Sequence, residues 1–573
     1  FLRGYVGYAG GPVEYVSAFL SQLYYYPWAG ALIVTTVAAF LCATTWVYMG
    51  AVGGRPPRVL HLVPGVVVLM LCNQYSHPLG TSLGVLTAML GVCLYLWARR
   101  GGPRVGLLAF VALSVVVHYA AGGAFLLYGL LCAIIELTTR GRRCLGLFYV
   151  LCAVLVPYLA GAFIFRVRMG EAYTRLLPLH RDAGLRSGYL GLSLYLYLPL
   201  VACALALRRA WALGAPGVRR KRALALLAQF EAYLSKGRLR RAATSSVLLV
   251  VAAFPVWFSF DHRLNAYLEL ERCAQLGMWA ELLDRARTIP PHWYNMLVCY
   301  DVNRALHHTG RLADEMFSYP QSPSGLLIPP GQMIKAVGSP PFALMKFSDI
   351  LFELGRVNES EHMAHEVFQR IGPRPSVLQR LALINIVKKQ TAAARALLGA
   401  LSKDVTRGRW ARDCLSRLEA DPALSADQEV RRTRSLMVTE DYVQDPSVEV
   451  LLMQCLEANK RNRMAFEYLM AHFMLTGRLD GFVDNLHRLD DFDYAGIPRH
   501  YEEAILVYQA ATLSSVDLHG RSVSPGTLER FRAFTEVWAR YRGDREGARR
   551  ALAGEHGDSY FFYCKFGPTG VSE

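Results

Sequence analysis

The sequence predicts an all-α protein in two parts: a polytopic transmembrane helical bundle of about eight spans, then a soluble α-solenoid of degenerate tetratricopeptide-like repeats. Three observations predict it. Apolar runs fill the chain up to about Asp261. Beyond that point amphipathic segments at helical spacing take over. Several of these later segments share one form, an apolar helix, a Gly turn and a second amphipathic helix.

Composition agrees with the division. The 573 residues are 53% hydrophobic, with a net charge of +17. Up to Asp261 there are six carboxylates against 24 Lys and Arg, so the basic excess belongs to the first half. Its charges cluster in short segments between apolar runs, which is the pattern of membrane topology rather than of nucleic-acid binding. Seven of the twelve Cys lie in or beside apolar runs, as small apolar packers do. Without a CxxC or a Cys/His pattern at zinc spacing, neither a metal site nor a cofactor is expected. The chain begins with Phe1, which suggests a start inside a longer protein.

A span needs roughly twenty apolar residues. Eight segments qualify or come close: 29–49, 59–73, 81–98, 105–119, 122–139, 144–165, 188–207 and 244–260. Only HYAAGG, 118–123, separates the fourth from the fifth, so these two form a tight hairpin. One set of loops carries Arg55 and Arg58, then Arg99, Arg100 and Arg104, then Arg140, Arg142 and Arg143, then the basic segment 208–243. Lys and Arg mark cytoplasmic loops. The opposite set is poorer in base, apart from the five Arg of 166–187. This places residues 1–261 as a multi-pass transmembrane domain and 262–573 as an extracytoplasmic repeat domain, in the periplasm of a bacterial inner membrane. Within 208–243, ALALLAQFEAYL suggests either an amphipathic helix lying on anionic lipid or a plain cytoplasmic helix.

In the second half, AQLGMWAELLDRA, HHTGRLADEMF, FELGRVNESEHMAHEVF and MLTGRLDGFVDNL place turn glycines at 277, 310, 355 and 477. The first two are 33 residues apart, near the tetratricopeptide period. Lys389-Gln390 occupies the same place in NIVKKQTAAARALLGAL. Such arrays bury a continuous core and leave a concave face that holds a protein. The Pro-, Ser- and Gly-rich insertion 318–332 is expected to be a loop, functional or merely mobile. The acidic DDFDY at 490–494 lacks calcium-loop spacing and reads as a solvated turn.

The stretches GGPVEYVSAFLSQLYYYPWAGALI, MFSYPQSPSGLLIP, AFEYLMAHFMLTGRLDGF and PRHYEEAILVY resemble an uncharacterised family of Bacteroidota multi-pass inner-membrane proteins with a helical-repeat tail. The resemblance covers nearly the whole chain. It implies a Gram-negative inner membrane and one further span before Phe1, and it carries over no catalytic residue.

Candidate site residues gather at the predicted outer face. Asn73, Gln74 and His77 follow the second span in NQYSHPLG, and His118 and Tyr119 close the fourth. The loop 166–187 holds Glu171, Arg175, His180, Arg181, Asp182 and Arg186. Glu14 precedes the aromatic belt YYYPW at 24–28. His61, Glu136 and Glu231 are exceptions to this one-sidedness. Polar residues also belong at span ends simply because water is there. A functional cavity would use Glu14, His77, His118 and Glu171 as catalytic acids and bases. Asn73, Gln74, Tyr119, Arg175, His180, Arg181 and Asp182 would bind substrate, with an Arg holding a phosphate or carboxylate. That layout is similar to membrane glycosyltransferases that use a polyprenyl-phosphate-linked saccharide, although the paired acids of their first outer loop are missing. Two functions are expected: a membrane-anchored scaffold whose repeats bind an envelope protein, or such an enzyme. The partners are the lipid bilayer with either that protein or a lipid-linked saccharide, and no nucleic acid.

Overall fold

The computed structural model describes residues 3–53, 59–75, 77–139, 141–178, 185–213, 247, 250–328, 341–439, 446–492, 494–541 and 543–568. Every regular element among them is helical. The chain divides into two units, Phe1–Leu264 and Asn265–Glu573. Most of the basic segment 208–243 lies outside the described residues.

After a single helical turn at Arg3–Val6, the first unit runs through α1, Gly11–Gln22, and α2, Pro27–Gly53. Then come α3, Val63–Cys72; α4, Leu79–Ala98; α5, Pro103–Ala121; α6, Phe125–Thr138; α7, Arg143–Leu159; α8, Met169–Thr174; and α9, Leu185–Leu213. Proline opens α2 and α5, where its missing N–H would have no helical partner anyway. Among the described residues, five apolar helical stretches are long enough to cross a membrane: Pro27–Gly53, Leu79–Gly101, Pro103–Thr138, Arg143–Phe165 and Gly188–Arg209. Leu60–Cys72 is apolar but shorter. Of the eighth predicted segment, residues 250–258 are helical.

Pro103–Thr138 is not one straight rod. The Tyr128 hydroxyl donates to the Phe110 carbonyl at 3.4 Å. In a continuous helix those residues would lie about 27 Å apart. The chain reverses at Gly122, whose φ of 53° and ψ of −126° suit glycine. HYAAGG is therefore the tip of a helical hairpin. Between its arms and α7, Phe110 stacks on Tyr149 at 3.6 Å and on Tyr128 at 5.6 Å. Small residues let the backbones close in elsewhere: a Cβ on Gly129 would lie 2.7 Å from that of Ala153.

The second unit is built on a repeated turn. Among the described residues, five helix ends share one turn on a residue with positive φ: Gly277 (68°), Gly310 (70°), Gly355 (87°), Lys389 (60°) and Gly477 (69°). Each time that residue donates its N–H to the carbonyl three back, and the next residue donates to the carbonyl five back, as in Gly277 to Ala274 and Met278 to Cys273. Lys389 adopts the geometry its position in the sequence pattern implied. A side chain there is strained, so Lys389→Gly is expected to stabilise this unit by about 0.5–1 kcal/mol, read as a rise in thermal midpoint.

The pairs do not form a simple open row. The helix Arg463–Thr476 is buried from Met464 through Ala471 on nearly every face. Later helices return to early ones: Arg499 donates its backbone N–H to Asp314 at 2.8 Å, and Phe317 lies 5.0 Å from Tyr563, ring to ring. Tyr563 in turn donates to the Leu475 carbonyl.

The insertion, a loop that the sequence left as functional or merely mobile, is held down. Across its described part, Gln321 and Asn303 exchange amide hydrogen bonds at 3.0 and 3.1 Å, and Leu326 and Leu327 are buried. Within DDFDY, Phe492 stacks on Phe466 and Tyr494 donates to Glu467, so the turn is anchored rather than merely solvated. All twelve Cys are free thiols.

Candidate functional site

Several elements of the first unit meet at one end of the bundle. The segment after α8 lies across the tip of the α5–α6 hairpin, where Gly123 donates its N–H to the Arg175 carbonyl at 2.9 Å. Gly10, just before α1, donates to the Tyr119 carbonyl at 2.8 Å. Leu176 sits among positions where even a Cβ would crowd it, 3.2 Å away on Gly10 and 3.1 Å on Gly80. Gly80 also brings α1 alongside, 3.5 Å from the Ser17 hydroxyl.

Glu14 and Arg175, 161 residues apart in sequence, pair here at 2.9 Å through Oε1 and Nε. The Tyr8 hydroxyl donates to Glu14 Oε2 at 2.7 Å, and the Arg175 guanidinium lies 3.7 Å from the centre of the Tyr8 ring. Burial and then the Glu14 hydrogen bond hold the Tyr8 phenol well above its ordinary pKa. Burial opposes the Arg175 charge, but the Glu14 hydrogen bond and charge outweigh it and raise the guanidinium's pKa.

The other predicted residues divide. His77 is half-buried, with Nε2 2.8 Å from the Ser82 hydroxyl, and burial pushes its imidazole down to about 4. It is neutral at physiological pH and unsuited to donate as an imidazolium. His118 is 3% exposed, edge-on to Phe125, and interacts with the backbone of Gly122. Glu171 is exposed on α8, so it does not share the enclosure of the two histidines. Asn73 is committed to structure: its amide donates to the Val256 carbonyl at 2.8 Å and to Ser259 at 3.3 Å. Gln74 is buried. Tyr119 donates to the Val6 carbonyl at 3.1 Å. His180, Arg181 and Asp182 lie outside the described residues, as does the Arg186 side chain. No group of three His, Cys, Asp or Glu among the described residues has metal-binding geometry.

Two charged clusters escaped sequence reasoning. At the other end of α4, Glu136 is fully buried, ion-paired with Arg99 and accepting from Tyr95 at 2.6 Å, with Arg142 3.7 Å away. Glu136 was visible as an acid within an apolar run, but its partners come from the end of α4 and the turn before α7. In the second unit, the helix Met296–His308 carries buried charges. Asp301 pairs with Lys346, Arg304 with Glu353 at 2.6 Å, and His307 with Glu467 at 2.6 Å. Their signal was charge at core positions of an amphipathic pattern, in YDVNRALHH.

The family of unknown function DUF6057 matches residues 1–567. The chain belongs to this family. Membership in DUF6057 spans both units, so the bundle and the helical unit are parts of one family architecture. No curated protein and no solved structure matches the chain.

Proposed function

We propose that this DUF6057 protein is a multi-pass protein of the Gram-negative inner membrane, of the Bacteroidota type, that displays a tetratricopeptide-like domain in the periplasm to hold an envelope protein. The observation that carries the reading is the fivefold recurrence of one helix–turn–helix geometry in a unit with its own continuous core. Repeated helix pairs serve mainly as binding surfaces for proteins. The five apolar stretches, with the third folded back on itself and two shorter apolar segments beside them, support about eight spans. The Arg-rich loops support a cytoplasmic face at 99–104 and 140–143, which sends the repeats to the periplasm.

A second reading, an enzyme acting on a polyprenyl-phosphate-linked saccharide, draws on the meeting of Glu14 with Arg175. It is the weaker one, because Glu14 is engaged by both Arg175 and Tyr8, and Glu171 stands apart in the open.

The scaffold reading is tested by mild-detergent purification from native membranes of the full chain and of a chain ending at residue 264. One discrete envelope protein is expected to copurify at fixed ratio with the full chain alone. Equal recovery with both chains, or none with either, would refute it. Reporters fused after residues 217 and 355 check the orientation. Periplasmic activity is expected from the second fusion only.

A further inference from the structure

The segment 169–178 is built as a cover rather than as a connecting loop. Its floor is made of residues without bulk. A Cβ on Gly123 would overlap the Tyr173 carbonyl, and one on Gly161 would lie 2.8 Å from that of Ala172. Gly10, Gly80 and Gly84 accept the Leu176 side chain. Three hydrogen bonds fasten the cover: Gly123 to the Arg175 carbonyl at 2.9 Å, Tyr195 to the Leu176 carbonyl at 3.3 Å, and Tyr173 to the Val154 carbonyl at 2.7 Å. The backbone is strained at Arg166 just before it (φ 51°) and at Leu176 within it (φ 64°), both left-handed positions that non-glycine residues avoid. A segment seated under strain needs a lock.

That lock is the Glu14–Arg175 pair. It is reachable from outside, with side-chain exposures of 25% for Glu14 and 33% for Arg175. The Arg175 guanidinium sits 3.7 Å from the centre of the Tyr8 ring, and its fork is suited to an oxyanion. Glu14 fills that position with a carboxylate of the chain itself. Underneath, His118 lies one helical turn before Gly122, whose own Cβ position is 3.2 Å from the Arg175 carbonyl. Its ring is buried beneath the segment's anchor point.

We propose that residues 169–178 form a lid over the end of the bundle, locked by Glu14 as an internal substitute for an anionic ligand of Arg175, and that an anionic headgroup competing for Arg175 releases it. The ligand chemistry is a phosphate-type oxyanion. The apolar seat vacated by Leu176 favours one carried on an amphiphile.

Hydrogen exchange of the full chain in nanodiscs tests the lid directly, read on peptides covering 118–125 and 169–178. In neutral phosphatidylcholine the wild-type amides exchange slowly. Glu14→Gln is expected to speed them about five- to tenfold, the effect of losing one half-exposed charged hydrogen bond. Unchanged exchange would overturn the lock. Should that variant fail to fold, Tyr8→Phe, which removes a hydrogen bond from Glu14 and keeps both charges, provides the same readout. For the anion, phosphatidylglycerol is added to the disc, or inorganic phosphate to the buffer. Faster exchange at both peptides with phosphatidylglycerol alone assigns a lipid headgroup, and a response to inorganic phosphate assigns the free ion. In either case peptides at 131–138 stay unchanged and Arg175→Gln abolishes the response. No acceleration with either source, or acceleration that survives Arg175→Gln, would overturn the anion site.

Discussion

Lys346→Met is expected to destabilise the second unit by about 3–5 kcal/mol, the loss that follows when one partner of a buried ion pair is removed. Lys346 is 5% exposed and sits between Asp301, 2% exposed, and Glu271. Burial opposes the ammonium charge, but the two carboxylates outweigh it and raise its pKa above the ordinary lysine value. Methionine keeps most of the volume and leaves the buried Asp301 without its ion-pair partner. The buried amides of 296–308 should then exchange about two to four orders of magnitude faster. Asp301→Asn in the same chain should recover part of the loss, because the stranded charge is gone. A loss below about 1 kcal/mol, the size of an exposed pair, would show that water reaches this cluster.

Gly355→Ala is expected to cost about 3 kcal/mol or more, whereas the same change at Gly310 costs about 1 kcal/mol. The two glycines have similar roles, ending helices with φ of 87° and 70°. They differ in what lies beside them. A Cβ on Gly310 meets nothing within 4 Å, but one on Gly355 would overlap the Leu436 carbonyl. The chain passes so close there that Val438 donates its N–H to the Gly355 carbonyl at 3.0 Å. Gly310→Ala therefore measures the left-handed conformation alone, and the difference between the variants measures the close approach. Thermal unfolding of the two would settle it. Equal losses would mean that the 436–438 strip can shift aside at little expense.

These two residues also mark how far the sequence could be read. Gly310 and Gly355 look alike in HHTGRL and FELGRV, and both were legible as turn glycines because the left-handed helix end is a local property. Lys389 was legible for the same reason, from its place in a recurring pattern, although lysine itself gives no sign of positive φ. The crowding of Gly355 was not legible, since Leu436 arrives from 81 residues away. The hairpin at HYAAGG could be read from two apolar runs with six residues between them. For the insertion 318–332, composition left open whether the loop is functional or merely mobile, because it predicts only the absence of regular structure. Gln321 and Asn303 hold it down through side-chain hydrogen bonds that composition does not encode.

The candidate site shows the same boundary. Glu14, His77, His118, Tyr119 and Arg175 were grouped in the sequence because span ends collect polar residues at one level of a bundle. Their separate roles depended on packing. Asn73 was spent on Val256, Glu171 was left in the open, and Arg175 found Glu14 across 161 residues.

By itself, then, the sequence determined the all-helical class, the change near residue 261 from apolar runs to amphipathic pairs, and the recurring turn. Each follows from periodicity, composition and backbone preference, which act within a few residues. Only the tertiary structure decided which charges are buried with which partners, how later helices close onto Asp314 and Phe317, and that Arg175 is occupied by Glu14. Those outcomes depend on side chains brought together from distant parts of the chain, where desolvation makes pairing obligatory and local pattern carries no record of the partner.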